Sequence, residues 1–279
     1  MDVTQARKPR PRREWIMVLL QPLASRGVAW LARAGVAPTA VVFTHGALGL
    51  AAAALVATQG RAPLIAAALL LQAKTLLDNM DGGLARATGR VTEAGRYLDT
   101  AVDLVGNVAL FAALTRYGPA VPALLALVAL TLVLSLDFNL EARYRELRGE
   151  RPPSAPPLPP GAPAWWLSLP RALYRLLLAP QDRFLARLDG ALFAAAAGVP
   201  QAAAPMETRL AWADLFSTAS VVNLGLSTQM ALLGVLLIVG HPYLYVPLVL
   251  LQLAYAVLVQ IARMLRLRRA LRADGGSPA

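Results

Sequence analysis

The chain has 279 residues, 57% of them hydrophobic and 15% charged, with a mean hydropathy of +0.52. These values exclude an ordinary soluble domain and point to a polytopic helical membrane protein. The net charge of +11 would suggest nucleic-acid binding in a soluble chain, but here the basic residues are sided, as follows below. With no cysteine and only two histidines, disulfides, thiol nucleophiles and cysteine-ligated zinc are ruled out, and a serine–histidine–acid hydrolase is poorly supported.

In chain order, a basic run (Arg7, Lys8, Arg10, Arg12, Arg13) precedes an apolar stretch from Trp15 that Gln21, Pro22, Arg26 and Arg33 interrupt. No convincing cleavage site follows, so the run is not read as a signal peptide. The seven-residue spacing of Arg26 and Arg33 predicts an interfacial amphipathic helix over Leu23–Ala34, ended by Gly35. Six apolar stretches of about 20 residues, the length a bilayer requires, follow at Pro38–Thr58, Ala62–Asn79, Tyr97–Leu114, Pro119–Leu136, Thr218–Val239 and Tyr243–Ala262. Between the fourth and fifth lies a long insert. Its residues 152–163 hold seven prolines, a stiff solvated spacer, and Trp165–Ala197 places Arg171, Arg175, Arg183 and Arg187 beside apolar residues. That spacing predicts amphipathic helices lying on the membrane and broken at Pro180. His45 and His241 both fall near span boundaries and read as interfacial or packed residues.

Arginines and lysines cluster at 7–13, 86–96, 143–151, 171–187 and 263–272, whereas the loops at 59–62 and 115–121 carry only Arg61 and Arg116. The positive-inside rule therefore sends both termini, the loop after span two and the insert to the cytoplasm. The expected organisation is a cytoplasmic basic tail and interfacial helix (1–37), spans one to four (38–136), a cytoplasmic insert (137–207), spans five and six (208–265) and a basic tail (266–279). The fold class is an all-α, six-span integral membrane bundle with an N-terminal interfacial helix. It belongs in an inner or cell membrane, with lipid and not nucleic acid around it.

Four aspartates stand between Leu77 and Leu104: Asp78, Asp81, Asp99 and Asp103. On helices, Asp78 and Asp81 (i, i+3) share one face, as do Asp99 and Asp103 (i, i+4). Two such helices packed antiparallel aim four negative charges at one point, which is tolerable in a membrane only with cations present. Hard oxygen ligands favour Mg²⁺, Mn²⁺ or Ca²⁺ and suit metal-dependent phosphoryl transfer. Gly82-Gly83 reads as the end of one helix and a small-residue turn. Lys74, one turn before Asp78, would cost on the order of 3 kcal/mol in a bilayer without a partner. Its spacing favours an ion pair with Asp78, and a contact to substrate phosphate is the alternative.

The run D-x2-D-G-x2-A-R-x8-G-x3-D-x3-D, carried by Asp78, Asp81, Gly82, Ala85, Arg86, Gly95, Asp99 and Asp103, resembles the signature of the CDP-alcohol phosphotransferases of phospholipid synthesis. The resemblance implies two divalent cations, Mg²⁺ or Mn²⁺, one on Asp78, Asp81 and Asp99, the other on Asp78, Asp99 and Asp103. It makes Asp103 the general base toward the acceptor alcohol, gives Gly82, Ala85 and Gly95 the room for cytidine and ribose, and sets Arg86 on a phosphate. Arg96, like Lys74, is a candidate phosphate contact. A homodimer, a CDP-linked donor and an alcohol acceptor are the partners implied.

Leu98-Asp99-Thr100-Ala101-Val102-Asp103 is similar to bacterial enzymes that use CDP-diacylglycerol, while the segment around Asp78 has features of choline/ethanolamine phosphotransferases. Glycerol-phosphate enzymes carry Pro and Lys where this chain has Thr100 and Leu104. The expected reaction is transfer of a phosphatidyl group from CDP-diacylglycerol to an alcohol, with CMP released. The competing readings are a transferase of CDP-amino alcohols acting on diacylglycerol, and a non-catalytic cation-binding transporter whose aspartates line an ion path.

Overall fold

The computed structural model describes residues 14–150 and 165–274, so the proline-rich spacer lies outside the described residues. It is 87% helical without a strand among them, an all-α membrane bundle. The helices are α1 (Trp15–Arg33), α2 (Pro38–Ala57), α3 (Arg61–Ala87), α4 (Glu93–Leu114), α5 (Ala120–Glu146), α6 (Trp165–Leu173), α7 (Ala179–Ala197), α8 (Met206–Trp212), α9 (Leu215–Val221), α10 (Leu226–Val239) and α11 (Tyr245–Asp274).

Length and composition pick out six stretches able to cross a membrane: α1, α2, α4, α5, residues 206–239 and residues 242–273. α3 is not among them because charged groups interrupt its apolar run. Even so, it is 27 residues long and packs against α1, α2 and α10. The expected fifth span is interrupted: α9 passes through a short 3-10 turn at Val222–Leu224 and Gly225 before α10 begins.

α2, α3, α4, α5, α10 and α11 run antiparallel, so the bundle has two unlike ends. At one end the loops 58–60 and 115–119 meet: Gln59 donates to the Arg116 carbonyl, Tyr117 to that of Val56, and Tyr243 to that of Pro119. The interior here is small and dry, with Ala52, Ala53, Ala67, Ala126, Leu64, Leu114, Leu130, Leu233 and Leu237 all buried. Alanine at these positions lets helices approach closely. Large apolar side chains such as Leu69, Leu124, Leu125, Val235 and Leu251 face outward, as lipid contact requires.

The start of α2, the end of α3, the start of α4 and the start of α10 form the other end. Pro38 in the first turn of α2 follows an extended Ala37, a favourable helix start. Thr92 caps α4 by accepting from the Gly95 N–H at 3.0 Å. α3 does not stop at Gly82-Gly83 as expected. It continues to Ala87 and closes where Gly89 takes φ +66°, with Arg90 N–H bonded to the Ala85 carbonyl and Gly89 N–H to that of Arg86. Glycine is tolerated inside a helix at roughly 1 kcal/mol, and the true stop is the left-handed glycine that satisfies the last carbonyls.

α1 begins at Trp15, earlier than expected, and runs through Pro22. It packs Ala24, Val28 and Leu31 against Val41, Met80 and Leu84. Its leading Glu14 accepts from Thr228 at the start of α10, so both ends of α1 touch the same end of the bundle. The insert is anchored too. Gln181 reaches Thr131 and Ser135 of α5, and Asp189 of α7 pairs with the buried Arg263 of α11, whose guanidinium also lies 4.0 Å over Trp212. Pro180 sits in the first turn of α7 after a π-helical turn at Tyr174–Leu178, which is the expected break.

Candidate active site

Three helices build the site. α3 contributes Lys74, Asp78 and Asp81, α4 contributes Asp99 and Asp103, and α2 contributes His45. A glycine face on α2 makes the close approach: a Cβ at Gly46 would run into Val102 of α4, and one at Gly49 would touch the Lys74 stem at 3.6 Å. His45, one position before Gly46, is thereby carried into the carboxylates with no exposed surface.

His45 Nε2 lies 3.0 Å from Asp81 Oδ2, 3.5 Å from Asp99 Oδ1 and 3.9 Å from Asp78 Oδ1. These four residues each offer a donor atom within 4.8 Å of the others. Lys74 Nζ binds Asp103 Oδ1 at 2.7 Å. This corrects the expected pair: Lys74 reaches across to α4 instead of down one turn to Asp78. Geometry between helices overrides the local (i, i+4) option, in which Asp78 has to compete with the other carboxylates for the Lys74 ammonium.

The four carboxylates thus converge as the sequence predicts, but they are unevenly satisfied. Asp103 has its lysine, while Asp81 Oδ2, Asp99 Oδ1 and both ring nitrogens of His45 are buried without a hydrogen-bond partner. The short His45–Asp81 approach is not aligned as a hydrogen bond. The large majority of buried polar side-chain atoms are paired, so such a group of orphans fits a bound ion. Acidic oxygens and an imidazole nitrogen suit a divalent cation, and the residues present fit one.

Of the remaining expected residues, Arg86 sits on the last turn of α3 with its guanidinium over Gly82, 3.3 Å from where a Cβ would stand. Ala85 is half-buried, and Gly95 lies in the first turn of α4. Arg96 is exposed at the start of α4 and enters no ion pair among the described residues. His45 was missed as a site residue. An ionisable side chain inside an apolar span, flanked by Gly46 and Gly49 on its face, was the available signal.

A family profile described as CDP-alcohol phosphatidyltransferase matches residues 14–181, more than half of the chain. The chain belongs to that family. No curated protein matches it closely enough to refine the assignment. CDP-alcohol phosphatidyltransferases are metal-dependent membrane transferases of phosphate-containing groups that act on CDP-alcohols in phospholipid synthesis. The matched region runs from Glu14 into the start of α7, so it takes in every residue of the carboxylate–histidine cluster.

Proposed function

We propose that the protein transfers the phosphatidyl group of CDP-diacylglycerol to an alcohol and releases CMP. The observation that carries this reading is the convergence of Asp78, Asp81, Asp99 and Asp103 at one end of a membrane bundle in a chain of this family. Asp78, Asp81 and Asp99 would hold one divalent cation, Mg²⁺ or Mn²⁺, and Asp78, Asp99 and Asp103 would hold a second. When bound, such cations neutralise the pyrophosphate and the charge that builds on departing CMP.

The protein's own groups do the rest. Lys74 occupies Asp103 Oδ1 and fixes the carboxylate, which leaves Oδ2 to take the proton of the acceptor hydroxyl. The alcohol oxygen bonds to the β-phosphorus, the bond from that phosphorus to the CMP oxygen breaks, and the proton rests on Asp103. Arg86 steadies a phosphate, and Gly82, Ala85 and Gly95 leave space for the nucleoside. The basic clusters at 86–96, 143–151 and 263–272 support a cytoplasmic site. Exposed Trp15, Leu19, Leu23 and Trp30 on α1, tied at both ends to the site end, support an interfacial placement of that helix. Resemblance to the family supports a homodimer.

Purified protein in nanodiscs, supplied with CDP-diacylglycerol, a panel of alcohols and Mg²⁺ or Mn²⁺, should release CMP only with a particular alcohol. CMP release from CDP-choline or CDP-ethanolamine with diacylglycerol alone would move the protein to the amino-alcohol branch. No CMP from any pair would leave the transporter reading.

A further inference from the structure

We propose that His45 is a direct nitrogen ligand of the divalent cation, through Nε2, beside Asp78, Asp81 and Asp99. This rests on the metal-centre reading above and adds a side chain that the aspartate motif does not contain. It stands on position, burial and chemistry.

Around a cation with ligand bonds of about 2.1 Å, neighbouring donor atoms lie about 3 Å apart and opposite ones a little over 4 Å. His45 Nε2 stands at 3.0, 3.5 and 3.9 Å from three carboxylate oxygens, within that range, and the four donors span at most 4.8 Å. One ion at their centre satisfies all of them together. The imidazole is fully buried and no protein group uses either nitrogen as a hydrogen-bond partner. Leaving such a ring unsatisfied is unfavourable, so a purely space-filling role is better served by leucine or methionine.

The helix around His45 is shaped to put it there. Gly46 removes the side chain that would hold α2 away from Val102 of α4, and Gly49 lies against the Lys74 stem at ordinary contact distance. The same face continues with buried Ala52, Ala53 and Val56 in the apolar core.

A nitrogen donor has a chemical consequence. Carboxylates alone suit Mg²⁺, which keeps several waters and takes few protein ligands, whereas imidazole favours transition metals. The mixed set selects Mn²⁺ over Mg²⁺ more strongly than an all-oxygen site would.

The test is electron spin-echo spectroscopy of Mn²⁺ bound to the full chain in nanodiscs, purified with a histidine-free tag. Mn²⁺ should show imidazole nitrogen coupling that changes to the ¹⁵N pattern when the protein is made with ¹⁵N-histidine. It should persist in His241→Asn, whose histidine lies at the opposite end of the bundle, and vanish in His45→Asn. Mn²⁺ affinity should fall about 10-fold or more in His45→Asn. His45→Asp should bring the Mn²⁺ and Mg²⁺ affinities closer together. Tightly bound Mn²⁺ with no histidine coupling in the unmutated protein would overturn the proposal and leave the metal centre standing. An absence of any Mn²⁺ binding would overturn both. The isotope experiment needs no substitution, so a misfolded variant cannot blur it.

Discussion

The two ends of the bundle are made by the same helices and obey opposite rules. Toward the 58–60 and 115–119 loops, α2, α3 and α4 bury alanine and leucine and leave no charged side chain in the interior. Toward the other end, the same three helices bury His45, Lys74, Thr75, Asp81 and Asn107. Close packing at the first end is what permits unfavourable charge at the second: the dry half fixes the helix axes, and the carboxylates inherit positions they would not adopt alone. Stability and reactivity are thereby separated along the length of each helix.

That contrast can be broken by substitution. Asp81→Ala and Asp103→Asn should each cut CMP release about 10²-fold or more, as loss of a metal ligand or base implies. In metal-free buffer Asp81→Ala should unfold at a temperature equal to or above that of the unmutated protein, because removing a negative charge relieves repulsion, whereas Asp103→Asn should unfold lower, because it leaves the buried Lys74 without its partner. A lowered unfolding temperature in Asp81→Ala would mean that the carboxylate cluster itself contributes to stability after all. At the opposite end, Leu114→Ala should cost about 2–5 kcal/mol of stability, read by denaturant unfolding, because the side chain is fully buried. CMP release per folded molecule should stay near normal, and a loss of turnover beyond the folded fraction would show that the ends are not separable.

Metal links the two more gently. A cation at about 100 times its dissociation constant should stabilise the protein by about 2.7 kcal/mol, an effect that chelation removes. The same chelation should leave Asp81→Ala much less altered, which differential scanning in nanodiscs can read. The smallest effect belongs to the surface. Replacing Arg26 and Arg33 by Gln should raise the apparent KM for donor lipid a few-fold with little change in maximal rate, since each basic residue near an anionic surface contributes about 1 kcal/mol. An unchanged KM would remove α1 from the lipid-binding surface.

The aspartate motif was legible because its information is local: fixed spacings on two consecutive helices set four side chains on facing stripes. Five of the six expected spans were legible for a similar reason; the second is not apolar enough on α3, while α1, expected at the interface, is long and apolar enough to cross. α3 and α5 also extend well past their apolar runs, to Ala87 and Glu146. Contacts between distant segments were not. Lys74 chose Asp103, 29 residues away, over the carboxylate one turn below it. His45 meets Asp78 and Asp81 only because α2 folds back along α3. Gly82-Gly83 looked like a stop because glycine pairs favour turns, but nothing in that pair reveals whether neighbouring helices hold the backbone helical. The insert read as a separate surface, whereas Asp189 and Arg263, 74 positions apart, tie it to α11.

The link between Glu14 and α10 bears on how the chain comes to be assembled. Gly225, the N-cap of α10, has no side chain to satisfy the first N–H groups, and the Glu14 carboxylate does so instead, accepting from the Thr228 N–H and Oγ at 2.8 Å. A Cβ at Gly225 would collide with that carboxylate, so the missing side chain and the borrowed one belong together. During synthesis the acceptor emerges more than two hundred residues before its donors. α1 can therefore pack on α2 and α3 as soon as these are made, but its Glu14 end is fastened only when α10 arrives, late in synthesis.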